Sequence, residues 1–286
     1  MELLPSKTYI ERMRNMKLAT KTLLLVASFL LMTVQANAGH HSGAGESHTE
    51  SADRNPDNAA RDQYRNPIKT LDFFGIKPDM SVVEITPGGG WYTEILAHRL
   101  KGTLYAAHYN PESTRAYYLN SLVKFKEMVA ANPTLYGNVE MHTFDANAQL
   151  LTTDDNSADA VLTFRNVHNW MKSKNDGRSF ELFFKTLKPG GVLGVVEHRA
   201  APGTDHATMI KSGYVTQEYV IALAESAGFV LEASSEVNAN PADTADHPKG
   251  VWSLLPNMAM GDVDRDRYLA IGESDRMTLR FRKPGQ

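Results

Sequence analysis

One stretch, residues 82–93, constrains the fold of this chain more than any other. Its β-branched, apolar start ends in an acid, a cluster of three glycines follows, and an amphipathic segment (91–100) begins at once. This order predicts a buried parallel strand that turns sharply into a helix. Three successive glycines exceed what a tight turn alone requires, and they let the backbone approach a ligand at the helix N-terminus. The stretch therefore predicts a nucleoside-binding site, with Glu84 as an acceptor for a hydroxyl or cationic group. The alternative is a tight turn without a ligand.

The N-terminal segment predicts export. Lys17 and Lys21 precede an apolar run, Leu23–Met32, and Ala36-Asn37-Ala38 has the small-x-small pattern of a signal-peptidase site. The run is shorter than a comfortable membrane span. We expect residues 1–38 to be a cleaved signal peptide and the mature protein to lie in a bacterial periplasm, without stable membrane insertion. The alternative is an uncleaved signal anchor.

The charge balance and the cysteine content argue against two classes of protein, nucleic-acid-binding proteins and disulfide-stabilised proteins. The chain has 30 Lys and Arg against 33 Asp and Glu, and cleavage after Ala38 would remove five basic and two acidic residues, leaving a net charge of −6. Nucleic-acid binding would need a basic surface, so we expect no nucleic-acid partner. The chain has no cysteine, which excludes a disulfide framework. Stability must come from packing.

Residues 39–57 are predicted to be a flexible linker, because they are rich in Gly, Ser, His and Glu and contain hardly any apolar residue. Scattered histidines in such a segment seldom bind a metal. Residues 58–286 are predicted to form one domain. Its first helix is expected over 58–74, where Gly75 stops it.

Strands alternate with helices through this domain. After the strand that begins at Val82, further strands are predicted at 102–108, 139–144, 158–164, 192–197, 229–237 and 276–282. This alternation predicts an α/β fold with a doubly wound, mostly parallel sheet of seven strands. Ligands of such sheets bind at the carboxyl ends of the strands, where Asp145, the segment 164–170 and Glu197 would lie.

The order of these motifs resembles that of the class I, S-adenosylmethionine-dependent methyltransferases. The Leu187-Lys188-Pro189-Gly190-Gly191 turn is typical of that class. The run 87–93, with the Arg-Asp-x-x-Arg-x-Pro segment at 61–67, is similar to an exported group of predicted methyltransferases. The resemblance covers residues 53–283 and implies a Rossmann-like class I methyltransferase fold. It also implies S-adenosylmethionine as cofactor and a small-molecule substrate.

The resemblance also implies a set of cofactor-binding residues. They are Glu84, Thr86, Pro87, Gly88, Gly89, Gly90, His108, Asp145 and Ala146. The turn would pack against the amino acid and ribose portions, and Asp145 with the Ala146 N–H would bind adenine; capping a local turn is the alternative for Asp145. Thr86 replaces the first glycine of the family's motif. His108 stands where the family has an acid for the ribose hydroxyls.

The segment after the fourth strand is where this class places substrate-facing residues. Methyl transfer needs alignment more than covalent help, and a base only when the acceptor must lose a proton. His168 is the candidate base and Asn166 would shape the pocket, whereas capping a helix or stacking on Trp170 is the alternative for His168. His168, His108 and His198 would place three imidazoles at the carboxyl ends of strands. None shows the short spacing typical of metal ligands, so no metal site is expected.

Two function classes remain open. The first is an exported methyltransferase of unknown acceptor. The second is a non-catalytic exported binding protein that retains the fold, because a periplasm has no obvious source of S-adenosylmethionine and His108 replaces an acid. A dinucleotide-dependent hydride transferase is disfavoured, since contiguous glycines do not form Gly-x-Gly-x-x-Gly. The sequence does not indicate an oligomeric state.

Overall fold

A mostly parallel sheet organises the molecule. The structure is a computed structural model that describes residues 54–285; the predicted signal peptide and residues 39–53 of the predicted linker lie outside the described residues. The strands are β1 Val82–Ile85, β2 Leu104–Tyr109, β3 Val139–Asp145, β4 Leu150–Leu151, β5 Ala158–Phe164, β6 Leu187–His198, β7 Val230–Ser235 and β8 Arg276–Arg282. Their spatial order is β4-β3-β2-β1-β5-β6-β8-β7.

The chain crosses over at β1, which pairs in parallel with both β2 and β5. The strands therefore proceed to one side through β3 and to the other through β6, which creates a crevice at the carboxyl end of β1. This confirms the predicted doubly wound, Rossmann-like sheet. The sheet has eight strands instead of seven, because the two-residue β4 adds an antiparallel edge beside β3. A pair of leucines is too short to show a strand pattern.

Helices cover both faces of the sheet. They are α1 Pro56–Ala59, α2 Asp62–Arg65, α3 Pro67–Phe74, α4 Trp91–Arg99, α5 Ala116–Ala131, α6 Pro133–Tyr136, α7 Val167–Ser173, α8 Asp176–Thr186, α9 His206–Ser212, α10 Gln217–Ser226 and α11 Arg265–Ile271, with a 3₁₀ helix at Gly250–Ser253. None of those between residues 54 and 285 is long and apolar enough to cross a membrane.

Successive residues of the central strands belong to two separate hydrophobic clusters. Val83 of β1 belongs to one cluster and Val82 to the other, and Val161 and Leu162 of β5 divide in the same way. Because strand side chains alternate between faces, each cluster fills the space between the sheet and one helical layer. The central strands are therefore buried on both sides, and the crevice lies at the carboxyl end of β1.

The N-terminal segment differs from its prediction in two ways. The expected helix over 58–74 is instead three short helices. The last two are separated because Asn66 is left-handed (φ 39°) and Pro67, which has no N–H to donate, starts a new helix. The predicted linker is ordered from Arg54 onward. The Arg54 guanidinium is buried and donates to Asp62 at 2.5 Å, and the Asn55 side chain caps α1. Composition missed this order because the Arg54 partner lies outside the segment.

Candidate functional site

The glycine turn leaves β1 through a constrained backbone. Thr86 has a φ of 50°, a left-handed conformation that is unusual for a β-branched residue, and its N–H donates to the Ala107 carbonyl at 2.8 Å. Gly88 and Gly90 also have positive φ values, 61° and 81°. Thr86 therefore adopts a conformation that suits a glycine, at the position where the resemblance expects one. Strain of this kind concentrates at functional sites.

Two adjoining cavities open at the carboxyl ends of the strands. The first, about 380 Å³, lies between the loop after β2, the end of β3 and α7. The second, about 420 Å³, lies between the glycine turn, the N-terminal helices, the segment after β5 and the 3₁₀ helix. Both are lined by Thr86, Tyr109, Tyr117, Asn166 and Asn169. The two cavities therefore form one cleft across the crossover point.

Glu84 lines the second cavity as a buried carboxyl group. Its side chain accepts a hydrogen bond from Thr93 Oγ1 at 2.6 Å, and no cation among the described residues forms an ion pair with it. Burial raises the pKa of Glu84 to about 7, and the Thr93 hydrogen bond opposes that rise. A cationic ligand group beside it would favour the ionised form. This is the partner that the sequence predicted for Glu84.

His108 does not reach either cavity, which corrects the expectation that it would accept a ribose hydroxyl. The side chain is fully buried beneath the glycine turn, against Phe125. Its Nδ1 accepts from the Tyr109 N–H at 2.8 Å, so the proton is on Nε2, which donates to the Gly88 carbonyl at 3.2 Å. Burial lowers the pKa of His108 to about 4, which keeps the ring neutral. His108 supports the turn instead of contacting a ligand.

The end of β3 lies in the first cavity. Asp145 Oδ1 accepts from the N–H groups of Asn147 and Ala148, and Oδ2 accepts from Asn110 Nδ2 at 3.1 Å. Asp145 therefore caps a local turn and also lines the cavity, next to Ala146. Glu112, in the loop after β2, lines the same cavity and supplies the carboxylate that β2 itself lacks.

His168 lies in the second cavity and is paired with Glu197. The His168 Nδ1 lies 3.0 Å from Glu197 Oε1, and the His168 backbone N–H donates to Oε2 at 3.3 Å. Because a buried carboxylate can only accept, Nδ1 carries the proton and Nε2 is the basic nitrogen. The ring contacts His198 and Trp252 instead of Trp170. The sequence did not predict the role of Glu197, since 29 residues and a helix separate it from His168.

Asn166 lines both cavities and also ties the strands together. Its Nδ2 donates to the Ile85 carbonyl at 3.0 Å and to Thr163 Oγ1 at 3.1 Å. Both amide hydrogens are therefore used within the protein. Asn166 holds the end of β1 to β5 and fixes the floor between the two cavities.

His168, Glu197 and His198 are also close enough to form a metal site, which their sequence spacing did not predict. Their potential ligand atoms lie within 4.8 Å of one another, and all three residues are buried. The Glu197 carboxylate, however, already accepts from the backbone N–H groups of both histidines and from the His168 ring. These hydrogen bonds account for the positions of His168 and Glu197 without a metal ion.

Comparison with known proteins agrees with this geometry. Residues 83–195 match the family model described as a methyltransferase domain. The chain has the class I methyltransferase fold. A SAM-dependent methyltransferase from Aquifex aeolicus superposes with a TM-score of 0.52 at 18% identity, over 78% of this chain and 93% of that chain. Among curated proteins, none matches this sequence.

Solved structures with this fold differ in their chemistry. Geranyl diphosphate methyltransferase in complex with SAM gives a TM-score of 0.52 at 10% identity, over 84% of this chain and 95% of that chain. The [4+2]-cyclase SpnF gives 0.53 at 18% identity, over 78% and 81%. At these identities the likeness shows the fold alone, and the reaction must be argued from the site.

Proposed function

We propose that this protein is an exported, S-adenosylmethionine-dependent methyltransferase that acts on a small molecule. The observation that carries the proposal is an open glycine turn beside a buried carboxyl group without a cationic partner. Export is supported by the basic and apolar N-terminal sequence. Mass spectrometry of the secreted protein should find Gly39 as the new N-terminus.

The cleft fits the proposed cofactor. A Cβ placed on Gly88 or Gly89 would meet no protein atom within 4 Å, so the turn presents bare backbone to open space. Gly90 is different, because its Cβ would lie 2.6 Å from Met128 Cε and the residue is needed for packing. Cavities of this size are ordinary for ligand sites. Glu84 would hold the amino group, Glu112 the ribose hydroxyls and Asp145 the adenine amino group.

S-adenosylmethionine, when bound, supplies an electrophilic methyl group. His168 would accept a proton from the acceptor at Nε2, and Glu197 would stabilise the resulting imidazolium through Nδ1. Asn166 would fix the position of the two cavities relative to each other, because it holds the end of β1 to β5. The stacked rings of Tyr92 and Phe164, with centroids 3.5 Å apart, form an apolar wall of the second cavity that limits access of water.

Calorimetry with S-adenosylmethionine on wild type and Gly89→Ala tests the cofactor site. Gly89 does not have a positive φ, so alanine should leave the unfolding midpoint unchanged. The added methyl group would occupy the space of the ligand and weaken binding by about tenfold or more, which corresponds to about 1.4 kcal/mol. Equal affinity in the two proteins would place the ligand elsewhere.

The outcome for wild type decides between the two function classes. A bound ligand must raise thermal stability in proportion to the logarithm of its concentration over its dissociation constant. No heat and no thermal shift at millimolar S-adenosylmethionine would sink the methyltransferase proposal and favour the non-catalytic binding protein. Binding together with release of S-adenosylhomocysteine in the presence of an acceptor would support it.

A further inference from the structure

One wall of the second cavity carries an excess of positive charge. Arg61 and Arg65 of the N-terminal segment and Arg165 after β5 line this wall. Behind it, the Glu273 carboxylate is shared by three guanidinium groups. Arg61 Nε donates to it at 2.6 Å, Arg65 Nε donates at 3.0 Å, and Arg276 forms an ion pair with it. Three arginines thus contact one acid, and Arg165 is a fourth positive charge near it.

The charges at this wall are not balanced within the protein. Burial and then the nearby Arg165 lower the pKa of Arg65 to about 8. Although burial raises the pKa of Glu273, its arginine neighbours lower that pKa to about 2, so the acid is ionised. Glu273 and the nearby Glu197 are fewer than the four arginines, so the wall carries an excess of positive charge. Arg65 is only 3% exposed, and its Nη2 has no hydrogen-bond partner among the described residues.

Among the described residues, Arg165 is the one arginine of the four that has no ion-pair partner. Its backbone is left-handed, with a φ of 61°, and its N–H donates to the Val196 carbonyl at 2.7 Å. Within residues 54–285 the guanidinium forms no hydrogen bond or ion pair, whereas those of Arg61, Arg65 and Arg276 share Glu273. Because Arg165 is half-buried and lines the cavity, its guanidinium remains open to an anion in the cleft. Arg165 lies in the wall of the second cavity, which His168 also lines.

We propose that this arginine wall binds an anionic group of the methyl acceptor, a carboxylate or a phosphate, and that Arg165 contacts it directly. The planar guanidinium can give two parallel hydrogen bonds to such a group. The inference rests on the proposed function, because it names the substrate class of the same cleft. The acceptor is therefore a small anionic molecule.

The carboxylate of the cofactor is a second source of the same chemistry. It would neutralise one positive charge of the wall and leave an excess of positive charge. Arg165 lines the same cavity as the candidate base His168, where the acceptor must be. These observations favour the acceptor as the source of the anion.

Calorimetric titration of inorganic phosphate into the protein, with and without saturating S-adenosylhomocysteine, separates the two sources. S-adenosylhomocysteine carries the cofactor's carboxylate and ammonium but no transferable methyl group. We expect phosphate to bind in both states. Arg165→Gln should weaken phosphate binding by about tenfold or more while changing S-adenosylhomocysteine affinity by less than about twofold.

Two further variants control for charge and geometry. Arg267→Gln removes an exposed positive charge outside both cavities and should change neither affinity. Arg165→Lys keeps the charge but loses the two-pronged geometry, so its phosphate affinity should fall between those of wild type and Arg165→Gln. Unfolding curves show whether each variant is folded.

Three results would overturn the inference or its foundation separately. Unchanged phosphate affinity in Arg165→Gln would show that the wall does not bind anions. Loss of phosphate binding in the presence of S-adenosylhomocysteine, together with weaker S-adenosylhomocysteine binding by Arg165→Gln, would assign the wall to the cofactor. Failure of S-adenosylhomocysteine to bind wild type would refute the proposed function, while the phosphate titration without it would still test the anion site.

Discussion

Replacing Glu84 with glutamine should stabilise the protein at alkaline pH and abolish cofactor binding. The carboxyl group is only 2% exposed, and burial raises its pKa from 4.5 to about 7. Between these two values the unfolded chain is ionised while the folded chain keeps its proton. Stability therefore falls as pH rises through this window, and the penalty is fully present above pH 7. Glutamine keeps an acceptor for Thr93 and never ionises.

The size of the effect follows from the shift in pKa. Each pKa unit corresponds to about 1.4 kcal/mol, so the full penalty is about 3 kcal/mol. Glu84→Gln should exceed wild type in free energy of unfolding by about 1 kcal/mol at pH 5 and by about 3 kcal/mol at pH 8. For wild type, S-adenosylmethionine should bind roughly tenfold more weakly at pH 6 than at pH 8, because only about a tenth of Glu84 is ionised at pH 6.

Urea unfolding at pH 5 and pH 8 measures the first effect, and calorimetry measures the second. Glu225→Gln, an exposed change on α10, controls for the loss of a surface charge and should show no such pH dependence. A Glu84→Gln advantage that is the same at both pH values would show that the folded-state pKa of Glu84 is not raised. Cofactor affinity that does not vary between pH 6 and pH 8 would separate Glu84 from the ligand.

Two further substitutions test the turn and the candidate base. Thr86→Gly should raise the free energy of unfolding by about 0.5–1 kcal/mol in urea titrations, because relief of a left-handed β-branched residue outweighs the entropy of an added glycine; a loss of stability would mean that Thr86 is not strained. Glu197→Gln keeps a hydrogen-bond acceptor for His168 but removes its negative charge, so release of S-adenosylhomocysteine should slow by about a hundredfold while cofactor affinity is unchanged. An equal loss of binding would make Glu197 a purely structural residue.

The sequence predicted the sheet well because its central strands are buried on both faces. β5 was predicted with the observed bounds, 158–164, and β1 was located by the glycine turn that follows it. These are local signals, because an apolar run and a glycine turn can be recognised in the sequence without knowing what packs against them.

The details of the site were less predictable because they depend on orientation and on distant partners. The side chains of His108 and Tyr109 point to opposite faces at the end of β2, and only Tyr109 lines the cleft. The sequence places both at the strand end but does not say which one faces the ligand. The pairing of His168 with Glu197, and that of Arg54 with Asp62, likewise depends on how separate elements pack.

The distribution of charge in the cleft connects the fold to the proposed chemistry. A buried ionic cluster such as Glu273 with its arginines contributes little net stability compared with apolar packing, because desolvation offsets much of the attraction. Glu84, and to a smaller degree the half-buried Arg165, likewise cost free energy while they face the cleft without an ion-pair partner. Opposite charges at two points of one cavity would orient a cationic ligand group towards β1 and an anionic group towards the arginine wall. The same residues that weaken the free protein would therefore align two differently charged ligands, and alignment is what methyl transfer requires.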